Sequence, residues 1–402
     1  MRGMTFTLAL LLGVGACVAY EGSDWPSWRG PQRDSVSPEK GWKTDWSGGG
    51  PKQLWSKQIG KGCSAFAVAG GRAFVLGNEK GSTDVVYAFD AKTGQEVWRH
   101  EYPCPLDPKY YFGGPSASPV VDGDKVYTLS KDGQLFCLNA ADGKVVWQRD
   151  MAKEKGLKRP EWGYAGSPYV RGQALLLNLG TAGLSVDKAT GKDLWFSGAD
   201  ASGYATPVIF THNKQEFIAL FAAKGLAIVN PERGGVLSQF EWKTQYDVNA
   251  ADPIVSGDTI FISSDYGTGC ALVRIGAQGL QEVWRNKAMQ NHMSPCVFHE
   301  GHLYGGSGNG DAADLVCIEL ATGAEKWRRP RTNGQGILAD GKLLHITQRG
   351  ELLLLEASPA AYKELGRVQV FGGTCFTMPV LSHGLVYCRN GDGNAVCVDL
   401  RP

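Results

Sequence analysis

A short alternation of apolar strands and polar turns returns along almost the whole chain. Its clearest copy is Ala88-Phe89-Asp90-Ala91-Lys92-Thr93-Gly94-Gln95-Glu96-Val97-Trp98. That stretch predicts a strand, a tight turn at Thr-Gly, and a second strand closed by an indole. Further copies run from Leu138 through Asp142-Gly143 to Trp147, from Val186 through Asp187 and Thr190-Gly191 to Trp195, and from Ile318 through Thr322-Gly323 to Trp327. A weaker copy closes at Trp284, and degenerate ones surround Asn230–Gly235 and Glu356–Leu365. Recurrence at a period of roughly 40 to 50 residues, with about four strands per unit, is the pattern of a β-propeller.

The closing positions can be counted as Trp98, Trp147, Trp195, Ser238 near Trp242, Trp284, Trp327 and Leu365. The last body, from Thr377 to Leu400, lacks a closing strand, whereas Trp55 closes a strand that has no body. Joining the two completes a ring and removes exposed strand edges. The predicted fold is therefore all-β, an eight-bladed β-propeller of four-stranded blades, closed by an N-terminal strand that completes the last blade. The predicted division is a signal peptide over 1–19, an extended N-terminal segment over 20–52 and the propeller over 53–402. Within the segment, Trp25-Pro26-Ser27-Trp28-Arg29-Gly30-Pro31 cannot form a regular helix, and its two indoles are expected to pack on the side of the ring.

Composition adds to this picture. Gly is 54 of 402 residues and Trp is 12, which suits many short strands joined by tight turns. The 41 basic and 40 acidic residues almost cancel, which argues against nucleic acid as the main partner. Arg2, the apolar run from Thr5 to Val14 and the small residues that follow read as an export leader. Two processing routes stay open: cleavage after Cys17-Val18-Ala19, or lipidation of Cys17 within Val14-Gly15-Ala16-Cys17. Either way the chain is expected to be exported, periplasmic or at the cell surface, with no transmembrane span once the leader is removed. Besides Cys17, nine cysteines remain at irregular spacing. Cys137, Cys317 and Cys397 take the strand position of Ala88 and read as small buried hydrophobes. Cys63, Cys104, Cys296 and Cys375 lie nearer strand ends, where one or two bridges stay open. No Cys-x-x-Cys or His-Glu-x-x-His pattern occurs, so no metal site is expected.

The Ala-x-Asp-x-x-Thr-Gly-x-x-x-Trp unit resembles the tryptophan-docking motif of quinoprotein dehydrogenases, whose propellers have eight blades. The same repeat is found in the outer-membrane assembly lipoprotein of the β-barrel machinery. The likeness is greatest to exported PQQ-binding-like repeat proteins, abundant in planctomycetes and related bacteria, which commonly open with Trp-Pro-x-Trp-Arg-Gly-Pro as Trp25–Pro31 does. The resemblance implies that Trp98, Trp147, Trp195, Trp284 and Trp327 dock between blades, with Trp55, Gly94, Gly143, Gly191 and Gly323 among the structural docking positions. It also implies that Asp90, Thr93, Asp142 and Asp187 hydrogen-bond within the turns.

Function is less marked. A PQQ-dependent dehydrogenase needs a general base and a calcium or lanthanide held by oxygen ligands, and in that family a disulfide between adjacent cysteines covers the quinone. No two cysteines are adjacent here. Asp252 and Asp265 are the available carboxylates, but Asp252 occupies a repeat slot held elsewhere by Ser118, Ser167, Thr206 and Ser294. No Gly-x-Ser-x-Gly elbow suggests a hydrolase. Residues just before the inner strands (Tyr164, Tyr204, Asn249, Asp252, His292, Asn333 and Phe376) are expected to ring a funnel suited to a sugar, a peptide loop or another small polar ligand. Two insertions, Pro103–Phe112 and Lys153–Trp162, should lie side by side on one rim. They offer Tyr110, Tyr111, Phe112 and Trp162 to a protein partner. The leading expectation is an exported non-catalytic scaffold for another envelope or secreted protein, or for a small polar ligand, with no cofactor. The alternative is a quinoprotein-like oxidoreductase using PQQ with calcium.

Overall fold

The computed structural model describes residues 22–402 except Tyr110 and Asp311, so the leader, Cys17 and Tyr110 lie outside the described residues. Eight sheets form the ring, seven of four antiparallel strands and one with a fifth strand added. Blade 1 is a simple meander of Ala67–Ala69, Arg72–Glu79, Thr83–Asp90 and Glu96–Pro103, the first innermost and the last outermost. Turns set the register. In blade 2, Asp122 pairs with Lys125 across the two-residue Gly123-Asp124 turn, a hairpin that depends on the positive φ of Gly123.

The ring closes as the sequence predicts. Lys52–Gln58 forms the outer strand of blade 8 and pairs antiparallel with Asn394–Asp399, placing Trp55 opposite Cys397. Cys137 and Cys317 likewise lie opposite Trp147 and Trp327. The nine cysteines of the described residues are free, and all but Cys63 are buried. Across the closing seam, Arg389 is fully buried. Its guanidinium donates to the carbonyls of Leu76 and Gly60 in and beside blade 1, with no carboxylate among its bonded partners.

Six seams share one joint. The indole N–H of each outer-strand Trp donates to a turn carbonyl of the next blade: Trp55 to Ala91 at 3.1 Å, Trp98 to Ala140 at 2.9 Å and Trp147 to Lys188 at 3.0 Å. Trp195 donates to Pro231, Trp284 to Leu320 and Trp327 to Ser358. The turn glycine lies flat against the ring. A Cβ on Gly94 would stand 2.7 Å from Trp55, on Gly143 2.5 Å from Trp98, on Gly191 2.9 Å from Trp147, and on Gly323 2.8 Å from Trp284. Asp90 shapes its turn by accepting from the Thr93 hydroxyl and amide, and Asp187 does the same for Thr190. Asp142 accepts from the Lys144 amide. The residue before each indole bulges from the strand, which leaves Val97, Val146, Leu194 and Val283 exposed.

Two seams depart, and one moves a closing position read from the sequence. In blade 4, Ser238 stands where the indole would be and accepts from the Leu280 amide. Blade 5 turns there through a plain hairpin, Gly276 pairing with Gly279, so no turn loop exists to receive an indole. In blade 7 the slot belongs to Gly366, not Leu365, because Leu365 is the bulge residue. Trp46 fills it from the N-terminal segment: a Cβ on Gly366 would meet its ring at 2.7 Å. The blade 8 turn is interrupted by the chain ends, and the segment replaces it, with Lys43 N–H bonded to the Leu400 carbonyl.

The N-terminal segment does not lie on the side of the ring as expected. It touches the innermost strand of blade 1 through Trp25 and Val68, of blade 2 through Pro26 and Val121, and of blade 3 through Arg33 stacked over Tyr169. Trp28 reaches Asp252 at the start of blade 5, and Val36–Ser37 adds a parallel fifth strand to the inner edge of blade 7. Glu39 then accepts from the His383 and Gly384 amides at the inner turn of blade 8. A segment that meets inner strands on opposite sides of the ring crosses the axis. It seals the channel mouth where the inner hairpin turns lie.

Candidate functional site

The channel wall is laced by a relay of side-chain hydroxyls. Ala65 N–H donates to Ser118 Oγ at 2.9 Å, Ser118 N–H to Ser167 Oγ at 2.9 Å, and Ser167 N–H to Thr206 Oγ1 at 3.0 Å. Thr206 N–H donates to Asp252 Oδ1 at 2.7 Å. The repeated Ser/Thr slot is thus a handshake between blades. Replacing a hydroxyl by a carboxylate in blade 5 leaves Oδ2 for another use, and it accepts from Trp28 Nε1 at 2.7 Å, with Arg29 3.9 Å away. Asp252 is buried, which pushes its carboxyl up, and Arg29 partly offsets this. Asp252 therefore anchors the seal and does not face the funnel.

The other expected funnel residues divide into two groups. Tyr164 is buried in the core beside blade 2, and Asn249 is buried with its amide donating to the carbonyls of Ala222, Ala223 and Trp242. Tyr204 is buried behind the rim with its ring 6.0 Å from Trp162. His292, Asn333 and Phe376 do line one cavity at the open mouth, between blades 6, 7 and 8, of about 310 Å³ including its opening. Most of that volume is open to solvent, and the enclosed part is about 20 Å³, room for a water molecule or two. Gln335 and Gln348 share this cavity, and nothing in the repeat singled them out, since blade 7 starts on Asn-Gly-Gln-Gly without the Ser/Thr-Pro slot of its neighbours. Burial lowers the His292 pKa, opposed by Asp265 and by a hydrogen bond with Asn309.

The two insertions meet on the rim of this mouth. Arg159 pairs with Asp107 at 3.2 Å and Lys109 with Glu161 at 3.2 Å. Tyr111 Oη donates to the Trp162 carbonyl and Trp162 Nε1 to the Lys109 carbonyl. Their aromatics are half-buried against one another, where the sequence suggested freely exposed rings. Phe112 instead reaches inward, 6.1 Å from Phe376. Beneath this ledge Asp84 is buried, accepts from Asn78 and Tyr102, and is pushed up to about 6 by burial. From Trp162 an arc of rings continues along the rim. Tyr246 is 5.9 Å away, Tyr266 a further 5.8 Å, and His292 5.2 Å beyond, with Tyr266 Oη 3.2 Å from Nε2. Tyr246 and Tyr266 were not anticipated, although both lie in loops at this mouth, where a pass restricted to the last residue before each strand misses them.

Quinone chemistry was tested against these residues. Pyrroloquinoline quinone is a tricarboxylate and calls for cationic partners and a metal held by oxygens. The cavity lining contains no Lys or Arg, and among the described residues no group of three His, Cys, Asp or Glu side chains could hold a metal. The open-mouth cavity therefore does not fit that cofactor, whereas Arg29 and Arg33 line a second cavity with Asp252 beneath the N-terminal segment. No helix among the described residues is long and apolar enough to cross a membrane.

Comparison with known proteins gives a consistent fold. A family profile described as "Outer membrane protein assembly factor BamB" matches residues 82–329. The chain is 31% identical over 125 residues to the outer membrane protein assembly factor BamB of Yersinia pestis, covering 27% of this chain and 29% of that protein. It spans less than a third of the length of the curated relatives it matches. The crystal structure of BamB from Moraxella catarrhalis superposes with a TM-score of 0.62 at 12% identity, covering 87% of this chain and 97% of that one. The quinohemoprotein alcohol dehydrogenase of Comamonas testosteroni superposes with a TM-score of 0.69 at 14% identity, covering 94% and 80%. At those identities the superpositions establish the fold alone.

Proposed function

The chain belongs to the family described as "Outer membrane protein assembly factor BamB", and from that premise we propose that it is an exported, non-catalytic scaffold of the cell envelope. Its working face is the open mouth, and its partner is another envelope protein held on the ledge of the two insertions. The leader, whether cleaved after residue 19 or lipidated at Cys17, would deliver it there.

The observation that carries this reading is the ledge. Two insertions from neighbouring blades are joined by paired charges and reciprocal indole and phenol hydrogen bonds, so they present a preformed surface. A rigid surface of aromatics among Lys and Arg loses little entropy on binding. The alternative, a quinoprotein-like oxidoreductase, finds no cationic partners in the open-mouth cavity. The test is a photo-crosslinking residue placed in turn at positions 109 and 237 in native envelopes. A defined adduct is expected from the ledge, lost when Tyr111 and Trp162 are both changed to Ala while the protein stays folded. Adducts from the outer-strand position 237 alone, or capture unaffected by the double change, would overturn the proposal.

A further inference from the structure

A carboxylate stands without a partner beside the open mouth. Asp265 follows the second strand of blade 5, Thr259–Ser264, at a turn where Thr268 N–H donates to the Asp265 carbonyl. The residue is only 8% exposed. Among the described residues no hydrogen bond or ion pair reaches its side chain, and neither of its oxygens is among the unpaired polar atoms closed to solvent. Its charge is felt by the Tyr266 hydroxyl and by the His292 ring. A carboxylate withdrawn this far from water is normally paired with a cation or with several N–H donors. The loops 244–249 and 264–269 supply a second aspartate, Asp247, and no Lys or Arg.

Rings stand in a row beside it. Tyr246 and Tyr266 lie 5.8 Å apart at 81°, and Tyr266 and His292 lie 5.2 Å apart at 84°, so successive rings are walls set nearly at right angles. The two tyrosines are 58% and 38% exposed, which leaves them open to a ligand. Both hold the left-handed backbone region, at φ 65° and 56°, which bulky residues rarely adopt. Such strain gathers at functional sites, where a ring is held in a place that relaxed backbone would not give it. The contact of Tyr266 Oη with His292 Nε2 at 3.2 Å fixes one wall. The arrangement is an open corner, so chemistry and not enclosed volume limits its occupant.

We propose that this corner binds a methylated ammonium group, with the Asp265 carboxylate as its counter-charge and Tyr246 and Tyr266 as its walls. The surroundings decide the class. An anion would meet two aspartates with no cation in either loop. A neutral ligand could hydrogen-bond the carboxylate but would leave its charge uncompensated. A metal ion lacks ligands, since among the described residues no group of three His, Cys, Asp or Glu side chains could hold one. A primary ammonium brings three N–H donors, and the corner offers them a single carboxylate. A methylated ammonium has few or no N–H groups to satisfy, spreads its charge over its methyl groups, and is attracted to the negative face of an aromatic ring. The corner borders the ledge but takes none of Lys109, Tyr111, Glu161 and Trp162 from it, so it stands whether or not the ledge holds a protein partner.

The test is isothermal titration of the purified protein with choline and tetramethylammonium, beside neohexanol, the uncharged isostere of choline, and the primary diamine putrescine. Saturable binding of both methylated cations is expected, with neohexanol silent and putrescine weaker by about tenfold. Asp265→Asn keeps the shape and removes the charge, and Tyr246→Ala removes a surface wall. Each should weaken choline binding by about tenfold or more without lowering the melting temperature. Tyr111→Ala should leave it unchanged. Absence of saturable binding by the methylated cations would overturn the proposal. Equal binding of neohexanol or putrescine, or choline binding indifferent to either Asp265→Asn or Tyr246→Ala, would overturn it equally.

Discussion

The two mouths of the channel are built from the same repeat and end in opposite states. At the turn mouth, Asp252 uses one oxygen for the Thr206 amide and the other for Trp28 and Arg29, while Glu39 takes the amides of His383 and Gly384. At the open mouth, Gln335, Gln348 and His292 each leave a buried polar atom without a partner. Buried polar groups are normally paired, and one left bare calls for a reason. The segment over the turn mouth leaves Ser23 Oγ, Trp25 Nε1 and Trp42 Nε1 unpaired as well, so the two mouths differ in what covers them and not in whether every polar atom is satisfied.

The sharpest way to break this contrast is at the seal. Asp252→Ala removes the acceptor of Trp28 and strands the buried guanidinium of Arg29. Breaking a buried charge pair costs about 3–5 kcal/mol, which denaturant unfolding should register, together with new protease cleavage within residues 24–37. Next comes the borrowed indole. Trp46→Ala empties the slot over Gly366 and should cost about 3 kcal/mol, comparable to losing a native docking Trp. If Trp46→Ala proved silent, the segment would be decoration on a ring already closed.

A smaller effect lies under the ledge. The Asp84 carboxyl titrates near 6 in the folded protein, above its unfolded value of 3.8. Between those values the folded state holds a proton that the unfolded state has released, so stability falls as pH rises from about 4 to about 6 and is level above. Asp84→Asn should flatten that slope and recover on the order of 2 kcal/mol at pH 7, as read from urea midpoints across pH. The smallest stability effect is expected at the open mouth. Gln348→Leu removes an unpaired acceptor and should change unfolding free energy by less than about 1 kcal/mol or raise it. A loss of several kcal/mol would mean that this amide supports the fold and would dissolve the contrast.

Much of this architecture can be read from the residues, because the repeat writes it several times. Trp98, Trp147 and Trp327 each follow their turn at one spacing, so blade number and closure by Trp55 follow from pattern alone. The exceptions depend on partners far away in the chain. Trp46 serves Gly366, and Asp252 serves Trp28, across separations of hundreds of residues that no local period encodes. The handshake role of Ser118, Ser167 and Thr206 was legible only as a shared slot. Its carboxylate variant could be taken for a funnel ligand until the seal was seen occupying it. Gln335 and Gln348 escaped notice because blade 7 departs from the slot pattern, and a residue outside the repeat has no equivalent to be compared with. His292, Asn333 and Phe376 were legible because they directly precede inner strands on the side where the cavity opens.

Amide hydrogen exchange across the intact protein tests the contrast between the mouths most directly. Residues 24–37 are predicted to exchange as slowly as the inner strands they cross, while 245–247 and 266–267 at the open mouth exchange quickly. Rapid exchange through 24–37, at the rate of an untethered tail, would mean that the channel is open at both ends and would contradict the account.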